Sequence, residues 1–372
     1  MRVALVIRAL DVGGLERHLV NLAVGLNERG HRIAVLQLYE GSHFVPELEE
    51  AGIETATAGV RGRWDLDSFF RSGLLATGRS RPAVVHGFGI EANLLSLLAG
   101  RLSARGRVVW GVQGRNFVRR GQDRVARAGA WLHRTLSWAP ALVLANSHQV
   151  RDDALAAGFP PQRVRVIANG VDIQRFQRDP PGRSRVRAEW GLGGDTPLIG
   201  IVARLSRAKN HELFLRAAAS LAHRRDDVMF VCVGDGDPRI SHRLRRLGDE
   251  LGLGDRVYWA GARQDMPAVY SALDIGTLVS RAEGCPHAVC EAMACGVPCV
   301  VSDVGDTARV VGDAGVVLAP APDPEAVAHG WERTLAHRES LTGLARARIE
   351  ERYSRDRMVL ETELALESVL HA

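Results

Sequence analysis

The sequence predicts an α/β protein built from two doubly wound parallel-sheet domains, and three observations predict it. A β-branched run, a glycine turn, an amphipathic helix and a second β-branched run follow one another at the start. That is the order of a βαβ unit. The same order restarts near residue 197. Finally, 372 residues exceed what one core ordinarily serves, and a hydrophobic content of 46% is enough to fill two.

The first strand is read at Val3–Ile7, followed by Gly13-Gly14. This run is too short for a signal peptide and has no cleavage signature, so a buried strand and a cytoplasmic protein are expected. Glu16–Leu26 carries Leu19, Leu22, Ala23 and Leu26 at helical spacing and stops before Gly30. Ile33–Leu38 closes the unit, and Val84–His86, Val108–Val112 and Ala141–Ala145 are further strand candidates. The stretch 177–197 holds Pro180, Pro181, Gly182, Gly193 and Gly194 and reads as a linker between domains 1–176 and 198–355.

The second domain opens with the strand Leu198–Ala203, the polar loop Arg204–Asn210 and the helix His211–Ala222. Val228–Val233 ends in Gly234-Asp235-Gly236, and Val257–Trp259, Ile275–Val279 and Cys299–Val301 follow as strands. After Pro324 the pattern is helical and charged, with helices expected at 324–336, 340–352 and 356–370. A return of segment 356–372 to the N-terminal domain is open.

Charge divides unevenly. Residues 1–175 hold 23 Arg, no Lys and 15 acidic residues, a net +8, whereas the remainder is net −3. A basic first half suggests an anionic surface or substrate on that side. No basic-aromatic pattern or binding module supports nucleic acid. No apolar run is long enough to span a membrane. The cysteines lie at 232, 285, 290, 295 and 299 with no CxxC pair. They read as small buried thiols rather than a metal site.

In open parallel sheets ligands bind beyond the carboxyl ends of strands, and there the unusual residues lie. Gly13-Gly14-Leu15-Glu16 is either a tight turn or a place where backbone N–H groups meet a phosphate. Arg204 to Asn210 contains Lys209, the one lysine beside 47 arginines. An ammonium and a guanidinium after one strand can neutralise a diphosphate without metal. Glu283-Gly284-Cys285-Pro286-His287-Ala288 follows the strand at 275–279, with Pro286 suited to a helix start and Gly296 to its end. Glu283 and Glu291 can then hydrogen-bond sugar and ribose hydroxyls, while free helix N–H groups at 284–288 meet the diphosphate.

This segment, Glu283-Gly284-x-Pro286-x4-Glu291-Ala292-Met293-Ala294-x-Gly296-x-Pro298, closely resembles the signature of retaining family-4 glycosyltransferases of the GT-B fold. Gly13 to Glu16, Asn146-Ser147, Asn169 to Asp172, Arg204 to Lys209, Gly234 to Gly236 and Asp303 to Gly305 agree with it in order, across nearly the whole chain. The resemblance implies two Rossmann-like domains facing a central cleft. It implies that Arg204 and Lys209 clamp the diphosphate of a nucleotide-sugar donor, UDP favoured. Glu291 would hold the ribose, Glu283 a hydroxyl of the transferred sugar, and Gly13-Gly14 would close over the phosphates. It implies retention of configuration, no metal, no cofactor, and a glycan, lipid-linked or small-molecule acceptor.

The chain departs from the family where many relatives carry a histidine: here Gln113 or Arg115 occupies that neighbourhood. His86, read at another strand end, is either cleft-lining or structural. The missing histidine keeps open a pseudo-glycosyltransferase or epimerase on the same scaffold, and a non-catalytic nucleotide-sugar-binding protein is the third reading. Asp235-Gly236-Asp237 reads as a turn, not a metal motif. Segment Arg115–Trp138 mixes Arg119, Arg120, Arg124, Arg127 and Arg134 with Phe117, Trp131, Leu132 and Trp138. It is either a helix packed into its own domain or a peripheral contact with anionic lipid on the inner membrane face.

Overall fold

The computed structural model describes residues 1–11, 13–59, 82–102, 107–113 and 124–371. The chain divides into two compact units, Met1–Gly170 with Arg355–Ala372, and Val171–Ser354.

The first unit is built on β1 (Arg2–Ile7), β2 (Arg32–Gln37), β3 (Glu54–Thr57), β4 (Val84–Phe88), β5 (Arg107–Val112), β6 (Leu142–Ala145) and β7 (Val164–Val166). Their order across the sheet is β3-β2-β1-β4-β5-β6-β7, and every pairing is parallel. Alternate residues of a strand point to opposite faces. Val3, Leu5 and Ile7 accordingly enter one core with Leu19, Leu22 and Leu26, while Ala4 and Val6 enter another with Val85 and Leu95. Burial on both faces explains why β1 is continuously apolar.

The terminal helix, Arg355–His371, belongs to this unit and lies on the helix Gly14–Glu28. A Cβ at Gly25 would run into the Val359 side chain, so glycine there permits the close approach. Met358 and Leu366 share the core of β1, Arg355 pairs with Glu28 at 2.8 Å, and the Glu363 carboxylate meets both Arg29 and His31 at 2.5 Å.

The second unit carries β8 (Leu198–Val202), β9 (Met229–Val233), β10 (Val257–Gly261), β11 (Ile275–Leu278), β12 (Cys299–Ser302) and β13 (Val316–Leu318). The order is β10-β9-β8-β11-β12-β13, again all parallel.

The segment 177–197 corrects the expectation of a linker, because residues Pro180–Glu189 form a helix of the second unit. Asp179 caps it by accepting from the Gly182 N–H at 2.9 Å, and the two prolines occupy its first turn, where no N–H is needed. Val186 and Trp190 are buried, and the fully buried Arg187 donates to the carbonyls of Gly193 and Ala272. The first boundary therefore falls at Gly170 rather than 176.

Candidate active site

Strand order places the site. In the second unit the chain winds outward from β8 through β9 to β10 on one side and from β11 through β12 to β13 on the other. The crevice outside the carboxyl ends of β8 and β11 is thus a topological switch point, the place where doubly wound sheets bind ligands. The loops leaving these two strands carry Arg204 and Lys209, and Glu283 to Ala288.

The loop after β8 is fixed against the loop after β9. The N–H groups of Ala203 and Leu205 donate to the carbonyls of Val233 and Asp235 at 3.0 and 2.9 Å. A Cβ at Gly234 or Gly236 would strike the carbonyl oxygens of Ala203 and Leu205, so both glycines are required by contact. The Asp237 carboxylate accepts from the Arg239 N–H at 2.8 Å and caps the helix Pro238–Glu250. Asp235-Gly236-Asp237 is therefore a turn and a cap. Arg204, held by this brace, is exposed and makes no hydrogen bond or ion pair among the described residues.

Lys209 ends a turn of 3-10 helix, and Asn210 follows in the left-handed region at φ 56°. It is the one non-glycine residue with positive φ among the described residues, at a cost that asparagine bears better than most. The Lys209 ammonium donates to Glu283 Oε1 at 2.5 Å, joining the loops of β8 and β11. The Arg281 N–H donates to the Ala208 carbonyl at 2.8 Å and ties the same loops through the backbone. The Glu283 side chain is 9% exposed and that of Lys209 29%.

Beyond Glu283 the chain passes Gly284, buried Cys285 and Pro286, then enters the helix His287–Ala294, with His287 and Ala288 half-buried in its first turn. No side chain caps that end, so its N–H dipole is available to an anion. The turn after β12 presses on this segment: the Asp306 N–H donates to the Gly284 carbonyl at 3.1 Å. Glu291, inside the helix, accepts at Oε2 from the Tyr270 hydroxyl at 2.8 Å. Burial, reinforced by the Glu291 charge, raises the Tyr270 phenol well above its usual range and keeps it a donor.

Two residues that sequence reasoning did not single out thus support the site. Tyr270 gives no motif, only an aromatic body with a polar tip that must find a partner when buried. Arg281 bridges backbone to backbone, which composition cannot reveal. The cysteines are all free and buried, and burial raises Cys295 and Cys299 to about 12. Among the described residues no cluster of His, Cys, Asp or Glu is grouped to hold a metal ion.

In the first unit the switch point lies between β1 and β4. Gly13 is the extended N-cap of the helix Gly14–Glu28, and no side chain caps it. Burial lifts the Glu16 carboxyl in its first turn. His86 departs from its expected strand end: it is the middle residue of β4, 1% exposed, with both ring nitrogens unpaired among the described residues. Its ring packs 4.2 Å from Phe88, and burial lowers its pKa to about 3, so it is a neutral core histidine. Gln113 is half-buried one residue past β5, and Arg115 lies outside the described residues.

Residues 12–175 match the model of Glycosyltransferase Family 4, and residues 196–337 match that of Glycosyl transferases group 1. A GDP-mannose-dependent alpha-(1-6)-phosphatidylinositol monomannoside mannosyltransferase of Mycolicibacterium smegmatis is 30% identical over 46% of this chain and 47% of its own length. A UDP-Gal:alpha-D-GlcNAc-diphosphoundecaprenol alpha-1,3-galactosyltransferase of Escherichia coli is 27% identical over 59% of this chain and 58% of its own. The chain spans about half the length of the curated relatives it matches. The Anabaena HepE structure in complex with UDP superposes with a TM-score of 0.86 at 20% identity, covering 99% of this chain and 100% of HepE. Two doubly wound domains, the matched models and this likeness of fold lead to one conclusion: the chain belongs to the family-4, group 1 glycosyltransferases of the GT-B fold.

Proposed function

We propose that the chain transfers a hexosyl group from a nucleotide-diphosphate sugar, with a UDP-sugar favoured, to a hydroxyl of a glycan, lipid-linked or small acceptor. Configuration is retained and no metal is needed. The observation that carries this reading is the pairing of Lys209 with Glu283 across the switch point, beside an Arg204 with no partner among the described residues and a helix end without a side-chain cap. Arg204, Lys209 and the helix N–H groups receive the diphosphate, Glu283 accepts from a sugar hydroxyl and Glu291 from the ribose.

When the anomeric carbon–oxygen bond breaks, negative charge grows on the leaving diphosphate and the sugar becomes oxocarbenium-like. Donors already fixed toward that charge stabilise the transition state, each by about 3–4 kcal/mol. The acceptor oxygen bonds to the anomeric carbon on the face just vacated, and its proton passes to a leaving phosphate oxygen. The nucleoside diphosphate departs, and no protein base takes part. The relatives are named for GDP-mannose and UDP-galactose, and HepE was solved with UDP, which supports a nucleotide-diphosphate donor. Release of sugar from a panel of donors, in EDTA with and without acceptors, tests the reading. Release that requires an acceptor supports transfer; no turnover of any donor contradicts it.

The acceptor side carries a second proposal, contact with anionic lipid. On and just after the helix Arg124–Thr135, Trp131, Leu132 and Trp138 are 66%, 40% and 61% exposed, with Arg127 and Arg134 exposed among them. Tryptophans beside arginines suit a headgroup layer. No helix among the described residues is long and apolar enough to cross a membrane. Co-sedimentation with anionic vesicles at low salt, weakened by Trp131→Ala with Trp138→Ala, is the expected outcome; no co-sedimentation removes the proposal.

A further inference from the structure

A cavity of about 270 Å³ lies in the same unit between the β8 loop and the helix Pro238–Glu250. Ser206, Arg207, His211, Glu212, Arg243 and Arg281 line it. Glu212 is held by Arg243 in an ion pair. Arg207 makes no hydrogen bond or ion pair among the described residues, and Arg281 makes only a long 3.5 Å contact to Asn210 through its side chain. The lining charges therefore leave an excess of two positives.

His211 supplies an independent observation. It is 1% exposed, and neither ring nitrogen has a hydrogen-bond partner among the described residues. A buried imidazole with two unmet nitrogens is costly unless something fills the site. His211 also opens the twelve-residue helix His211–Ala222, whose N-terminus has no side-chain cap. Guanidinium groups, uncapped backbone N–H groups and an imidazole line one concavity, and each of these groups binds phosphate oxygens.

We infer that this cavity is a second anion site, separate from the diphosphate clamp, and that it takes the phosphate monoester of a small soluble molecule. A phosphate offers acceptors to Arg207, to Arg281 and to whichever His211 ring nitrogen carries the proton. Burial, with the Lys209 charge adding to it, lowers His211 to about 4 and leaves the ring neutral, with one donor and one acceptor. The cavity volume leaves room for a small organic body beside the phosphate. Phosphate binding here does not depend on glycosyl transfer: none of the side chains it uses belongs to the donor clamp, and Arg281 ties the clamp loops only through its backbone N–H, which Arg281→Ala keeps.

Calorimetric titration of inorganic phosphate into the full chain tests it, on wild type, Arg207→Ala, Arg281→Ala, His211→Phe and Lys209→Ala, each first checked for an intact fold by circular dichroism. The expected result is one site that Arg207→Ala and Arg281→Ala each weaken by roughly 10- to 100-fold, the worth of one charged hydrogen bond. His211→Phe weakens it too, and Lys209→Ala leaves it in place. Binding lost in Lys209→Ala but kept in Arg207→Ala would put the phosphate in the donor clamp and overturn the inference, as would no binding to wild type. In a parallel arm, phosphatidate-containing vesicles that bind through Arg207 when free phosphate does not would overturn the soluble source in favour of a lipid headgroup.

Discussion

Gly305→Ala tests the packing that shapes the Glu283-Gly284 loop. Gly305 sits at φ 61° in the turn after β12, and a Cβ there would lie 2.5 Å from the Glu283 carbonyl oxygen, 2.8 Å from its carbon and 2.9 Å from the Gly284 oxygen. All three are backbone atoms and cannot rotate away. An alanine at positive φ costs about 1–2 kcal/mol, and forcing atoms into a packed contact adds about 1–3 kcal/mol. The expected total is roughly 2–5 kcal/mol, shared between stability and donor affinity according to how far the loop yields. Gly252→Ala is the control, because it has φ 71° and nothing within 4 Å of the added Cβ, so only the backbone cost applies. Urea denaturation midpoints and donor titrations on both variants measure the two shares. If Gly305→Ala matches Gly252→Ala in stability and binds donor as wild type does, the contact does not hold Glu283 in place.

Two further outcomes are expected. Tyr270→Phe removes the donor to Glu291 and should cost about 1–2 kcal/mol, appearing as a donor KM raised roughly tenfold with kcat within about twofold. The second concerns pH. Burial lowers His86 to about 3 and His133 and His211 to about 4, so between 6.5 and those values the unfolded chain binds protons that the folded one does not. Stability is intact above 6.5 and falls as pH drops toward 4, by up to about 1.4 kcal/mol per pH unit for each histidine. His86→Phe should flatten that slope by one histidine's share; an unchanged slope in denaturation at stepped pH would mean that His86 is not held neutral.

The sequence was most readable where local chemistry and burial agree. The helix at His211–Ala222 has its predicted limits because a polar loop and a left-handed asparagine start it. The central strands stand out because both faces are buried. β3, β7 and β13 escaped notice, being edge strands of three or four residues whose pairing is decided by the strand beside them. The prolines of 180–181 misled because a helix start and a linker share them, and only the Asp179 cap separates the two. Among site residues, the Lys209–Glu283 contact follows from strand order once the switch point is recognised. Tyr270 and Glu291 are 21 residues apart on different elements, and only tertiary packing joins them. His86 looked like a strand end because its strand runs two residues further, through Gly87 and Phe88.

The proposed donor site is a metal-free cationic clamp at the second unit's switch point. Its most direct test is calorimetric titration of UDP- and GDP-sugars in EDTA on wild type and Lys209→Ala. Micromolar binding of one of them to wild type is expected, with a loss of roughly 10²–10³ on removing the ammonium. Equal binding by the variant, or binding that returns only when a divalent cation replaces EDTA, would contradict it.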